Sequence, residues 1–321
     1  MPVLKNSTYN PSFLFKSGHF STIYRVLFHE NSINYNRKRL ELDDGDFLDL
    51  DISSVNSDKL VIAVHGLEGS SKSTYIVSLS KVLNKHGFDV IAMNHRSCSG
   101  ELNRLLSSYH SGKTEDLDAV IKHIENQYDY KEIHIVGYSL GGNMTLKYMG
   151  EDNVSSKVKS AIGVSVPCSL KDSSLRMNSL ANRLYLNRFL KSLEEKTMKK
   201  LEKFPDSFLT KESIESIKNF KDFDDIYTAP AHGFKDADDY YKKSSCKQYI
   251  PTIKVPTLLI TALDDPFFGE ACYPFKEAKE NDSFYIEATK YGGHVGFGTS
   301  LNTTQNTWCE YRILSFLTED K

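Results

Sequence analysis

The pattern of hydrophobic and polar positions changes character along the chain. Residues 22–29, 35–42 and 46–53 alternate apolar and polar side chains or carry β-branched residues, which predicts three strands of an antiparallel opening sheet. Farther on, nearly continuous apolar runs alternate with segments of helical periodicity, as expected for strands buried on both faces. Those strands are predicted at 60–65, 88–94, 133–138, 160–166, 256–263 and 284–289, and the helices at 73–85, 114–127, 140–149, 269–279 and 303–317.

The alternation stops between residues 168 and 250. This stretch is rich in Lys, Leu, Asn, Asp and Tyr, with helical periodicity and no convincing strand. Strands that alternate with helices on both sides of it indicate a mostly parallel, doubly wound sheet. We therefore predict one α/β domain over residues 1–321, with antiparallel N-terminal strands and a helical cap inserted at about 168–250.

Composition and charge exclude several classes of protein. The chain carries 40 Lys and Arg against 42 Asp and Glu, so it has no global field that would attract nucleic acid or anionic lipid. No apolar run approaches the ~18 residues of a membrane span. Five scattered cysteines without a C-x-x-C pair argue against a disulfide framework or a structural zinc site. With no signal-peptide pattern at the N-terminus, we predict a cytoplasmic protein without metal, cofactor or protein partner.

Residues 137–141, Gly-Tyr-Ser-Leu-Gly, match the G-x-S-x-G pattern. The pattern alone is weak, but a predicted strand precedes it and a predicted helix follows it. That is the setting of a nucleophile elbow, where a sharp strained turn exposes the serine hydroxyl. Ser139 is therefore the candidate nucleophile, and an ordinary strand-to-helix turn is the alternative.

A serine nucleophile needs a base, and the base needs an orienting carboxylate. In elbow-bearing folds the chain order is Ser, acid, His. His294, in the glycine-rich loop after the last predicted strand, is the candidate base. The acid comes from Asp264 or Asp265, which directly follow a predicted strand. Asp265 is favoured, with Asp264 as a turn-former or supporting acceptor.

The oxyanion hole requires two backbone N–H groups near the nucleophile. Leu140 follows Ser139, and Leu67 lies in the loop after an earlier strand, so these two amides are the candidates. The same loop, residues 66–73, differs from a phosphate-binding loop in one position, Ser71 in place of the second glycine. The next predicted strand ends without the acidic residue that an NTPase uses for magnesium, which favours the oxyanion interpretation.

With these elements in this order, the sequence resembles the YheT-like branch of the α/β-hydrolases. That branch includes bacterial predicted esterases and eukaryotic membrane-anchored relatives active on medium-chain esters and phospholipids. The matching segments are 18–23 (GHFSTI), 65–70 (HGLEGS), 94–101 (NHRSCSGE, with Ser97 where a glycine is usual), the F-D-D…T…H-G-F…Y-Y pattern within 223–241, 264–267 and 292–294. The resemblance implies an α/β-hydrolase fold and the triad Ser139, Asp265 and His294. His19, His95 and His232 match family positions but receive no catalytic role.

These observations together predict a serine hydrolase that cleaves short- to medium-chain acyl esters and needs no cofactor. An acyltransferase with an alcohol acceptor and a non-catalytic binding protein of the same fold are the alternatives. Four cap residues either line the acyl pocket or pack the cap onto the core, and packing is the favoured interpretation. They are Leu184, Leu186, Phe189 and Leu190.

Overall fold

The computed structural model describes residues 2–4, 6–28, 32–301 and 308–319. Its strands are β1 (Asn36–Glu41), β2 (Phe47–Ser53), β3 (Lys59–Val64), β4 (Asp89–Asn94), β5 (Glu132–Tyr138), β6 (Val158–Val164), β7 (Thr257–Ala262) and β8 (Phe284–Thr289). Within the described residues they form one eight-stranded sheet in the order β1-β2-β4-β3-β5-β6-β7-β8. β2 runs antiparallel to β1 and β4, and the other pairs of this sheet are parallel. The predicted fold class is confirmed.

Helices cover both faces of the sheet. They are α1 (Gly18–Phe28), α2 (Thr74–Lys85), α3 (Thr114–Gln127), α4 (Leu140–Met149), α5 (Leu170–Met177), α6 (Arg183–Lys203), α7 (Lys211–Glu215), α8 (Phe220–Phe223), α9 (Ala229–His232), α10 (Ala237–Ser244), α11 (Phe275–Lys279) and α12 (Trp308–Thr318). Apolar side chains of α2 and α12 pack on one face, and those of α3, α4 and α11 on the other. The first residues of the helix predicted at 303–317 lie outside the described residues.

The central strands are buried on both sides, as their continuous apolar sequences predict. In β3, Leu60, Ile62 and Val64 join the core on one face of the sheet. Val61 and Ala63 join the core on the opposite face. Each of these side chains is fully buried. Because successive side chains of a strand point to opposite faces, β3 contributes to the cores on both sides of the sheet.

Strand β1 lies at the edge of the sheet and carries mostly exposed, charged residues. Arg37 is the cross-strand partner of Asp51, and Arg39 is the partner of Asp49. Both pairs form ion pairs, with N–O distances of 2.6 Å and 2.8 Å. The two aspartates are buried in β2, so the arginines satisfy charges that would otherwise be costly.

The prediction of a strand at 22–29 is wrong over 22–28, because residues 18–28 form helix α1, and residue 29 lies outside the described residues. Among the described side chains of this helix, Ser21, Thr22, Tyr24 and Arg25 are buried, which is the spacing of one helical face. Three of these four side chains are polar and turn inward, so the apolar pattern alone did not show the helical period. The other two predicted N-terminal strands correspond to β1 and β2.

Between β6 and β7 the chain forms helices α5 to α10. They share a cluster of buried apolar side chains with the loop after β7. Leu186 and Leu190 of α6 are buried in this cluster, as the packing interpretation predicts. Leu184 is 83% exposed and lines the large cavity described below, as does Phe189, so for these two the packing interpretation is incomplete.

Candidate active site

The predicted site residues lie just after strands of the parallel part of the sheet, four of them in loops and Leu140 at the start of α4. Leu67 follows β3, Ser139 follows β5, Asp265 follows β7 and His294 follows β8. Parallel strands present their carboxyl ends at one edge, and that edge is where open α/β sheets place their ligand sites. Residues far apart in sequence therefore meet there.

Ser139 occupies a strained turn between β5 and α4. Its φ is 51° and its ψ is −118°, a conformation that a residue with a Cβ adopts only under constraint. The Ser139 amide donates to the carbonyl of Val164 at 2.8 Å, which fixes the turn. A Cβ on Gly141 would lie 2.4 Å from the carbonyl oxygen of His65, so only glycine permits this approach of α4 to β3.

The three candidate triad residues are joined by two hydrogen bonds. His294 Nε2 lies 2.9 Å from Ser139 Oγ, and His294 Nδ1 lies 2.8 Å from Asp265 Oδ2. A carboxylate can only accept, so Nδ1 carries the ring proton and Nε2 accepts from the serine hydroxyl. The Asp265 carboxylate is buried and also accepts from the Phe267 amide at 2.9 Å. This arrangement can remove the hydroxyl proton from Ser139.

The adjacent acid, Asp264, points elsewhere. Its Oδ1 accepts a hydrogen bond from the Gly293 amide at 2.9 Å. Burial, reinforced by the charge of Asp265, raises the pKa of Asp264 to about 6, although the hydrogen bond from Gly293 opposes the shift. Of the two candidate acids, Asp265 faces the imidazole and Asp264 supports the backbone of the histidine loop.

Helix α1 also holds the histidine loop, through two side chains. Thr22 Oγ1 accepts from the His294 amide at 2.8 Å, and Ser21 Oγ donates to the Gly292 carbonyl at 2.8 Å. The helix can come this close because Gly18 has no side chain: a Cβ there would lie 2.0 Å from the Asp264 carbonyl oxygen. Residues 18–23 match a motif of the resembled family, but no role in the site was predicted for them from the sequence.

The loop after β3 leaves one amide unused between two that are engaged. The Gly66 amide donates to the Tyr75 hydroxyl at 3.0 Å, and the Glu68 amide donates to the Tyr109 hydroxyl at 2.9 Å. Among the described residues, the Leu67 amide between them donates to no hydrogen bond. Two tyrosine hydroxyls thus hold the peptides before and after the one that carries the Leu67 amide.

Leu140 is the first residue of α4, where the amides of a helix lack partners within the helix and carry partial positive charge. Gly66 lies against Ser139, since a Cβ on Gly66 would be 3.1 Å from the Ser139 Cβ. The side chains of Leu67 and Leu140 belong to one apolar cluster. The two predicted oxyanion residues are therefore brought together beside the serine.

Two buried histidines lie under this loop. The His95 amide donates to His65 Nε2 at 3.1 Å, which leaves the proton of His65 on Nδ1, where it donates to the Gly66 carbonyl at 2.7 Å. Burial, together with the neighbouring His95, keeps the pKa of His65 well below its usual value. Burial likewise lowers the pKa of His95 to about 4. Both rings are neutral at physiological pH and act as fixed hydrogen-bonding supports.

A cavity of about 700 Å³ opens over Ser139 and His294. Its volume is in the range of sites for small organic ligands. Helices α5, α6 and α8 supply much of its apolar wall, including Met177, Leu184, Phe189 and Phe220, and the loop after β7 adds Phe267 and Phe268. Such a wall suits a hydrocarbon chain. Within the part of the chain that the structure describes, no cluster of three His, Cys, Asp or Glu residues is arranged to hold a metal ion.

The model of the α/β hydrolase fold family matches residues 59–298. This span holds the whole sheet from β3 to β8 and each candidate site residue described above. The chain belongs to the α/β-hydrolase family.

The chain is similar to YheT of Escherichia coli, with 37% identity over 88% of this chain and 84% of that protein. It is 30% identical to a medium-chain fatty acid ethyl ester synthase/esterase of Saccharomyces cerevisiae, over 81% of this chain and 62% of the relative. A monoacylglycerol lipase of the same yeast is 28% identical, over 77% and 56%. The resemblance to the YheT-like branch is confirmed.

Among solved structures, an esterase of Pyrococcus furiosus aligns with a TM-score of 0.59 and 19% identity, covering 88% of this chain and 90% of that one. An esterase of Exiguobacterium antarcticum aligns with a TM-score of 0.55 and 14% identity, covering 88% and 99%. At these identities the likeness shows the fold. In the described residues, no helix has the length and hydrophobicity needed to cross a bilayer.

Proposed function

We propose that this chain is a carboxylic ester hydrolase that acts through an acyl-enzyme on Ser139. The observation that carries the proposal is the continuous chain of hydrogen bonds from Asp265 through His294 to Ser139, at 2.8 Å and 2.9 Å. Three side chains in this order give a serine hydroxyl a base and give the base an orienting charge. The esterase and lipase names of the relatives support the same reaction class.

In the proposed reaction, Ser139 Oγ attacks the ester carbonyl while His294 Nε2 takes the hydroxyl proton. Asp265 stabilises the imidazolium that forms. The negative charge on the carbonyl oxygen is stabilised by the amides of Leu67 and Leu140. His294 then protonates the departing alkoxide, which leaves as the alcohol. A water molecule, deprotonated by His294, attacks the acyl-enzyme. His294 then returns this proton to Ser139 Oγ as the acyl bond breaks, which releases the carboxylic acid and free Ser139.

The helical segment at about 168–250 is proposed to act as the cap over the acyl chain. The apolar side chains that it contributes to the cavity support this role. The cavity volume supports short- to medium-chain acyl groups, and the name of the medium-chain yeast relative agrees. Five buried, unpaired cysteines support a reducing compartment such as the cytoplasm.

Transfer of the acyl group to an alcohol is the second candidate function. It uses the same acyl-enzyme, with an alcohol in the place of water. The yeast relative named as both an ester synthase and an esterase is the observation that favours it. Hydrolysis with added ethanol separates the two functions, because a transferase forms ethyl ester in preference to free acid.

Fluorophosphonate labelling and hydrolysis of p-nitrophenyl esters of increasing chain length test the proposal. The wild-type protein is expected to label, and Ser139→Ala is expected to remain unlabelled and to lose about 10⁴-fold or more in turnover. Ser173→Ala is the matched control, since Ser173 lines the same cavity but its hydroxyl donates to the Phe267 carbonyl. Equal labelling of wild type and Ser139→Ala would refute the proposal.

A further inference from the structure

A buried carboxylate follows the oxyanion loop directly. Glu68 is the residue after Leu67, and its side chain is only 6% exposed. A carboxylate in this position is unusual, because burying an ionised group is costly unless partners compensate its charge. The triad does not use Glu68, and the proposed reaction needs no acid at this position.

The partners of Glu68 come from two separate parts of the chain. From helix α6, the Lys196 ammonium lies 2.9 Å from Glu68 Oε1, and the Ser192 hydroxyl donates to Glu68 Oε2. From the loop before α3, the Tyr109 hydroxyl donates to Oε1 at 2.7 Å. One side chain therefore joins the oxyanion loop to the helical insertion through charge-assisted hydrogen bonds, which are among the strongest in proteins.

The backbone of Glu68 is also constrained. Its φ is 54°, in the left-handed region that residues with a Cβ seldom adopt. Such a conformation persists only where the surroundings determine it. Here the Tyr109 hydroxyl accepts from the Glu68 amide at 2.9 Å while it donates to the Glu68 carboxylate. Main chain and side chain of Glu68 are thus held by the same tyrosine.

We propose that Glu68 is a positioning residue for the oxyanion hole. Through its contacts with Glu68, helix α6 fixes the direction in which the Leu67 amide points. This inference rests on the proposed function. The Leu67 amide belongs to the peptide next to that of Glu68, so a displacement of Glu68 turns this donor away from the substrate oxygen. An oxyanion donor acts only when it is fixed at the place where charge develops. The oxyanion hole is therefore complete only when the helical insertion is in place over the cavity.

Glu68→Gln tests the proposal because it keeps the shape of the side chain and removes its charge. We expect kcat for a p-nitrophenyl ester to fall roughly 10- to 100-fold, with KM changed less than about 3-fold. Affinity for a trifluoromethyl ketone, which forms a charged tetrahedral adduct with the serine, is expected to fall by the same factor as kcat. If Glu68 only stabilised the fold, Glu68→Gln would lower the melting temperature without lowering kcat and inhibitor affinity together.

Lys196→Met removes the cation that pairs with the same carboxylate from helix α6. It provides a second test of the proposal if Glu68→Gln does not fold. The same kcat and inhibitor pattern is expected, and Lys196→Arg is expected to restore most of the activity because it retains the cation. Lys221→Met is the matched control. It breaks the exposed Lys221–Asp225 pair in the same insertion and should leave kcat unchanged.

Two results overturn the proposal. One is a Glu68→Gln or Lys196→Met protein with wild-type kcat and inhibitor affinity, and the other is a loss confined to KM or to thermal stability. The outcome is separable from that of the proposed function. If wild type hydrolyses esters and Ser139→Ala does not, the triad proposal stands whatever the Glu68 variants show.

Discussion

The hydroxyl of Thr22 accepts a hydrogen bond from the backbone amide of His294 at 2.8 Å. The two residues are 272 positions apart, so a helix near the start of the chain holds the proposed catalytic base near its end. Thr22 is 6% exposed and also donates to the Gly18 carbonyl at 2.7 Å. Helix α1 is therefore part of the active-site framework.

Thr22→Val should lower activity, since valine has the shape of threonine but leaves the His294 amide without an acceptor. A lost hydrogen bond to a buried amide costs about 1–3 kcal/mol, which corresponds to roughly a 5- to 150-fold fall in kcat if the cost is borne by the histidine loop. Steady-state kinetics on a p-nitrophenyl ester measure this, with Thr22→Ser as the control that keeps the acceptor. Equal kcat for the valine and serine variants would contradict the assignment.

The two neighbouring aspartates should behave differently on amidation. Asp265→Asn removes the charge that faces His294 Nδ1, and we expect kcat to fall about 10⁴-fold because the imidazole loses its orienting acceptor. Asp264→Asn keeps an oxygen for the Gly293 amide and should retain activity within about 10-fold. Comparing kcat of the two variants decides which acid serves the triad. A larger loss in Asp264→Asn would reverse the assignment.

Asp264 also predicts a pH dependence of stability. Because burial and then Asp265 raise its folded-state pKa to about 6 from the usual 3.8, folding favours the protonated form. Its contribution to stability is complete below pH ~4 and is lost as the pH rises through ~6. Asp264→Asn cannot ionise, so its free energy of unfolding relative to wild type should increase between these pH values. Since Asp264 as a whole is only half-buried, we expect a gain of about 1 kcal/mol.

Urea unfolding at pH 4.5 and pH 8 measures this difference. The exposed Asp282 provides the matched control, and Asp282→Asn should show the same stability relative to wild type at both pH values. A difference for Asp264→Asn that shrinks as the pH rises would show that the sign is wrong.

The close approach of α4 to β3 predicts the effect of a single methyl group. In Gly141→Ala the new Cβ would lie 2.4 Å and 2.5 Å from the carbonyl oxygens of His65 and Val64, and backbone cannot move aside cheaply. We expect a loss of about 3 kcal/mol or more in unfolding free energy, with loss of activity. Gly100→Ala is the control, because its Cβ would meet nothing within 4 Å and would add only backbone strain at φ 103°. Similar destabilisation in both would argue against a steric cause.

Much of this molecule was predictable because its core strands are buried on both faces. Segments such as 60–65 and 133–138 are apolar apart from His65, His134 and Gly137, and few local structures other than a buried strand explain such runs. Ser139 could be located because the elbow is a local motif between a strand and a helix. His294 followed from chain order, which the fold imposes on all its members.

The features that could not be predicted from the sequence depend on contacts between polar residues that are distant in the chain. Helix α1 turns the polar side chains of Ser21, Thr22 and Arg25 inward beside Tyr24, so polar residues interrupt the apolar period of its buried face. The burial of Glu68 depends on Lys196, and nothing in the local sequence of either residue records the other. Between Asp264 and Asp265 the sequence favoured Asp265, but only the rotation of each side chain, which spacing does not determine, shows which of them faces His294.

The two arginine–aspartate pairs across β1 and β2 give the edge of the sheet a unique alignment. Moving β1 by two residues would set Arg37 opposite Asp49 and Arg39 opposite Phe47, or else Arg39 opposite Asp51 and Arg37 opposite Ser53. In either case one cation faces a neutral side chain and one buried aspartate loses its counterion. A shift by one residue would instead turn every side chain of β1 to the other face. The two ion pairs therefore favour the native register of this hairpin over registers shifted by one or two residues.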